Sequence, residues 1–139
     1  MTGQLDDYAD VALGFADLYE ATFDPAWLER AATLTGVMVE RFHDPGQGGF
    51  FESPAGDPSV KLRMKDGHDG AELAGNSVAA WVAQTLGVLL DRVEWRDAAA
   101  AAIAYYARRL ADSAVSMPQM LVAMEWSRAA PRHVVIAGD

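Results

Sequence analysis

The chain has 139 residues, of which 51% are apolar, and a formal net charge of -9 at pH 7. That length supports one domain with a real core, and the acidic balance argues against nucleic acid, because Arg and Lys are scattered and form no compact basic patch. Cysteine is absent, which excludes disulfides, thiolate nucleophiles and Cys-ligated zinc.

No run reaches the roughly 18 uninterrupted apolar residues of a membrane-spanning helix, so no membrane partner is expected. Residues Met1 to Asp10 show no basic segment leading into an apolar one, so the expected location is the cytoplasm.

From Leu5 to Tyr19 the spacing predicts a helix with two apolar faces: Leu5, Tyr8, Ala12, Phe15 and Tyr19 on one stripe, Val11 and Leu18 on another. Asp24 and Pro25 mark the start of the next helix, as a cap and a first-turn proline. That helix runs from Trp27 to Phe42 and is amphipathic, with His43 at its end placed to complement the helix dipole. The cluster Asp44-Pro45-Gly46-Gln47-Gly48-Gly49 is a turn. After it, Phe50 to Glu52 and Val60 to Met64 read as the strands of a small β-hairpin within the long connection 43–73.

A third helix, Ala74 to Leu90, is apolar nearly all round, and a fourth, Trp95 to Leu110, is amphipathic. A fifth covers Met117 to Trp126, with Pro118 in its first turn, and His133 to Ala137 read as a terminal strand. A helix apolar on all sides must be buried, whereas an amphipathic one covers it. Inner and outer helices therefore alternate, as in a double ring of αα-hairpins. A weak repeat at a shift of about 68 residues supports this, since Trp27 falls on Trp95, Ala31 on Ala99, Leu18 on Leu86 and Phe42 on Leu110. The inner-helix N-termini and the long connection should share one end of the stack, and a pocket belongs there.

The run Asp69-Gly70-Ala71-Glu72-Leu73-Ala74-Gly75-Asn76-Ser77-Val78-Ala79 resembles the D-G-A-x-P-S-G-N-S-x-A motif of the spermatogenesis-associated protein 20 family, whose bacterial members are described as thioredoxin-domain-containing proteins. Leu5-Asp6-Asp7-Tyr8-Ala9, Gly48-Gly49-Phe50-Phe51, Pro118-Gln119-Met120-Leu121 and Val134-Val135-Ile136 resemble further segments of it, so the similarity extends over essentially the entire chain. Leu73-Ala74 depart from the usual Pro-Ser. The resemblance implies a longer protein, with a thioredoxin-like domain followed by a six-hairpin (α/α) toroid like that of N-acylglucosamine 2-epimerases and six-hairpin glycosidases. This chain is similar to a late part of that toroid only, so the resemblance implies architecture, and a redox role does not transfer.

The expected fold is thus all-α, a single domain over 1–139 made of αα-hairpins of an incomplete (α/α) toroid, with a β-hairpin in 43–73 and a C-terminal strand. Sugar chemistry requires an acid and a base held several ångströms apart, and Asp7 with Asp69 or Glu72 offers such a pair at the cavity mouth. His68 is the only histidine beside candidate acids, and histidine serves as acid and base in epimerases of the resembling fold. The catalytic candidates are therefore Asp7, His68 and Asp69, and the substrate-binding candidates are Tyr8, Asn76 and Trp81. The competing role for Asp and Ser at helix starts is to cap free N–H groups. No histidine pair has the spacing of a helical zinc site, and no Gly-rich loop suits a nucleotide, so neither metal nor cofactor is expected.

Two functions remain. One is a toroid fragment without self-sufficient activity that acts as a helical association module, self-associating as a homodimer. The other is a carbohydrate-active domain with acid and base at inner-helix N-termini.

Overall fold

The computed structural model describes residues 3–129. Helix α1 (Leu5–Thr22) is started by Asp7, whose carboxylate accepts from the Gln4 N–H at 2.8 Å, and is ended by Phe23, at φ 56° with its N–H on Tyr19 O. Asp24 then caps α2 (Pro25–Phe42) by accepting from Ala26 N at 2.9 Å, with Pro25 at the first helical position. Helix α3 (Gly75–Leu89) turns into α4 (Val93–Ser113) through Asp91, at φ 52°, and the bond from Arg92 N to Gly87 O. A 3-10 turn, Ala114–Ser116, leads to α5 (Pro118–Arg128).

Short connections make α1–α2 and α3–α4 into antiparallel αα-hairpins. Helix α3 also packs against α1 and α5, while α1 and α5 do not touch, so α1, α3 and α5 form one row and α2 and α4 a second behind it. Leu5 meets Gly75 so closely that a Cβ there would stand 3.1 Å from Leu5 Cγ. The starts of α1 and α3 thus lie side by side. The core runs between the rows, with Leu5, Met38, Phe42, Phe50, Val78 and Leu86 fully or almost fully buried.

The expectation that both α1 and α3 are enclosed holds for α3 alone. Eleven of the 15 residues of α3 are buried, against three of 18 in α1, Leu5, Ala9 and Ala12. The residues related by the internal repeat show the difference: Leu86 is 1% exposed and Leu18 40%. Helix α3 has a neighbour on each side in its row, and α1 has one.

The β-hairpin is not formed. Among the described residues there is no strand, only a single bridge between His43 and Phe50. Phe50 to Glu52 and Val60 to Met64 do approach, but they share one ladder-type bond, Glu52 N to Met64 O at 2.8 Å. Arg63 holds the remainder by donating to Ser53 O at 2.9 Å and to Arg41 O at 3.0 Å. The strand expected at 133–137 lies outside the described residues.

The turn after α2 presses on α4. Gly48 has φ +81°, and a Cβ there would sit 2.4 Å from Ala101 O, so only glycine fits. Behind it Lys65 Nζ bonds Asp44 at 2.7 Å and Gly48 O at 2.6 Å, in a site where the Lys65 side chain is 5% exposed. Its charge also lies 4.3 Å from the Tyr105 ring centroid and 4.7 Å from that of Phe51. His43 is the C-cap residue of α2, its N–H on Val39 O at 3.3 Å. Burial pushes its imidazole below the ordinary value, outweighing the opposing effect of Asp44, and so disfavours the charged form that a helix C-terminus would draw on.

Candidate functional site

The N-terminal end of the α1–α3–α5 row is joined to the connection 43–73 by two buried side chains. Asn76, in the first turn of α3, accepts from Phe50 N at 2.7 Å through Oδ1, and donates through Nδ2 to Phe50 O and Asp66 O, both at 2.8 Å. The amide thereby fills both backbone positions of Phe50 that a neighbouring strand would fill. Asp69 accepts from Ala74 N at 2.9 Å and from Gln119 N at 2.8 Å, one per carboxylate oxygen. It ties the start of α3 to the first turn of α5. Ala74 stands at the cap position of α3 without a capping side chain, and Asp69 anchors it by accepting its N–H, while its other oxygen takes the N–H of Gln119, the second residue of α5, as an N-cap acceptor would.

The other candidates sit apart from this core. Asp7 is exposed and bonded to Gln4 N. Tyr8 is half-buried, with its ring 5.2 Å from Phe42 and its hydroxyl accepting from Arg41 Nη1 at 3.3 Å. His68 is exposed, held by its backbone N–H on Asp66 Oδ1 at 3.0 Å. Trp81 lies further along α3 and meets Trp126 of α5 edge-on, ring centroids 6.0 Å apart. The structure therefore brings Asp69 and Asn76 together at the α3 start, places Asp7 and Tyr8 on the adjoining helix start, and puts Trp81 in a different place. There it lines an open cleft of about 420 Å³ with Leu121, Val122, Glu125 and Trp126.

One half-buried acid was missed by sequence reasoning. Glu52 was read as a strand residue, yet its carboxylate accepts from Asp66 N at 3.0 Å and lies 3.4 Å from Asn76 Nδ2. Burial is the main cause that raises its pKa, with Asp66 and Asp6 adding repulsion. Its position directly after Gly48-Gly49-Phe50-Phe51 was the available signal. Tyr106, whose hydroxyl donates to Asp66 O at 3.0 Å, is likewise shifted upward by burial. Asp10 is raised by burial first and then by Asp6, Glu72 and Asp7, which mark a negative field at the exposed side of this end. Among the described residues, no three His, Asp or Glu side chains form a group that could hold a metal ion. No helix there is long and apolar enough to cross a membrane.

The class defined by these features is an all-α stack of αα-hairpins whose one end is stitched by buried polar side chains. The chain is 36% identical to spermatogenesis-associated protein 20 of Rattus norvegicus over 138 residues, and 36% identical to the Homo sapiens protein of that name over the same length. An uncharacterized protein of Caenorhabditis elegans is 28% identical over 134 residues. These alignments cover 99% of this chain for the mammalian proteins and 96% for the nematode one, but the chain spans only 18% of the length of each. No family model matches the chain, and no solved structure matches it.

Proposed function

We propose that this chain is a section of a longer, toroid-like helical domain, and that it works by association rather than by catalysis of its own. The contrast between Leu18 and Leu86 carries this reading. Repeat-related positions differ because α1 has an open flank, where α3 has a neighbour. Helix α5 is open in the same way, with Val122 47% exposed. The polar groups support the reading too, since both oxygens of Asp69 and the whole amide of Asn76 are engaged in holding helix starts and loop together.

Isolated, the chain self-associates as a homodimer through α5. Leu121, Val122 and Trp126 form its apolar face, and its charges, Glu125 and Arg128, pair with each other at 3.6 Å. Two-fold apposition therefore meets no net repulsion. Sedimentation equilibrium at micromolar concentration is the test, with a dimer mass expected for the parent chain and a monomer mass for Val122→Glu. A monomer mass for the parent would remove this reading.

A second reading, a carbohydrate-active domain, is favoured by the Trp81–Trp126 pair lining a cleft beside Glu125. Its mark is a saturable tryptophan fluorescence response to N-acyl sugars that is lost in Trp81→Ala. No turnover of N-acyl sugars or common glycosides is expected under the first reading.

A further inference from the structure

Along α1, Asp7, Val11, Gly14 and Leu18 recur at helical spacing on the side opposite the buried Leu5, Ala9 and Ala12. Val11 is 47% exposed, Leu18 is 40%, and a Cβ on Gly14 would meet nothing within 4 Å. Toward α2 this stripe continues into two clefts, about 340 and 330 Å³, that meet at Leu34 and include Phe15 and Tyr8. The face is therefore a long apolar seam, open for close approach by another helix.

Its margins are not neutral. Helix α1 carries Asp6, Asp7, Asp10, Asp17 and Glu20 and no Lys or Arg. None of these acids forms an ion pair among the described residues. Asp6, Asp10 and Asp17 follow one another down the margin on the far side from α2. On the α2 side the charge is balanced, with Glu29 beside Arg30, whose guanidinium lies 4.8 Å from the Trp27 ring centroid. A second copy of α1 placed on this seam would bring Asp6, Asp7, Asp10 and Asp17 of each copy together with no Lys or Arg on either helix, so the self-association proposed through α5 does not extend to α1.

We infer that the α1 seam docks an amphipathic helix of a different segment, with an apolar stripe for Val11, Gly14 and Leu18 and Lys or Arg residues facing Asp6, Asp10 and Asp17. This rests on the reading of the chain as an association module and adds the chemistry of the partner. Burial of Val11 and Leu18 supplies the attraction, and the charges set which helix is accepted and in which direction it lies.

The test uses two synthetic helical peptides with the same leucine seam, one flanked by Lys and one by Glu, titrated into the 139-residue chain by fluorescence anisotropy. The Lys peptide should bind about tenfold more tightly, with an advantage that shrinks as salt rises. Asp10→Lys with Asp17→Lys should reverse the preference, whereas Glu94→Lys with Asp97→Lys, the same charge change on α4, should leave it in place. Circular dichroism of both double variants verifies that helicity is kept. Equal binding of the two peptides, or a preference unmoved by the α1 reversal, overturns the charge assignment while leaving the association reading standing. Binding of neither peptide by a chain that also sediments as a monomer overturns both.

Discussion

Asn76 and Phe50 exchange two hydrogen bonds, 2.7 Å from Phe50 N to Oδ1 and 2.8 Å from Nδ2 to Phe50 O, both buried. A side-chain amide thus substitutes for a strand. Asn76→Ala would leave Phe50 N and Phe50 O unpaired, at about 1–3 kcal/mol each, while Asp66 O keeps the Tyr106 hydroxyl. The expected loss is at least about 2 kcal/mol in urea unfolding, a large part of the 5–15 kcal/mol typical of a domain. A loss below about 1 kcal/mol would mean that water replaces the amide.

Leu86 and Leu18 should respond to truncation unequally. Leu86→Ala opens a cavity in the middle of the row and should cost about 2–5 kcal/mol. Leu18→Ala, on the open flank of α1, should stay within about 0.5 kcal/mol of the parent. Denaturant midpoints of the pair give the comparison directly, and equal losses would contradict the open flank.

Gly48→Ala combines a left-handed backbone with a collision against Ala101 O. It should destabilise by well over about 1 kcal/mol, with α4 losing hydrogen-exchange protection near Ala101. Gly56 also has a positive φ, +78°, but a Cβ there meets nothing within 4 Å, so Gly56→Ala should cost less.

Two acids should shape stability against pH with opposite signs. Lys65 beside Asp44 lowers its carboxyl from 3.8 to about 2, so the folded state holds the proton less tightly than the unfolded one. That contribution is complete above about pH 4 and is lost as pH falls toward 2. Asp44→Asn should flatten the acid limb of the stability curve in this window. Glu52 is the reverse case: burial raises its pKa above 4.5, so its stabilising effect is present below that value and is lost as pH rises through the raised one. Glu52→Gln should remove this fall and leave the chain at least as stable near neutrality. Urea unfolding from acid to neutral pH checks both, and parallel curves for parent and variants would contradict the assignments.

The helices and their order were legible in the amino-acid sequence because they depend on local features. Asp24 and Pro25 set the start of α2, Pro118 the start of α5, and the periodicity of apolar residues separated α3 from the amphipathic α4. Asp69, Asn76 and Ser77 were recognisable as a motif from residue identity alone. What they do was decided by tertiary structure, since the partners of Asn76 lie 26 and 10 residues away and that of Asp69 on α5 lies 50 away. The same holds for the missing β-hairpin, where local β propensity in Phe50 and Phe51 yielded to an amide arriving from α3. Helix α1 shows the limit most plainly. Its two apolar faces were visible in sequence, but burial is a property of neighbours, and only packing determined that one of those faces meets α3 and α2 while Val11 and Leu18 remain open.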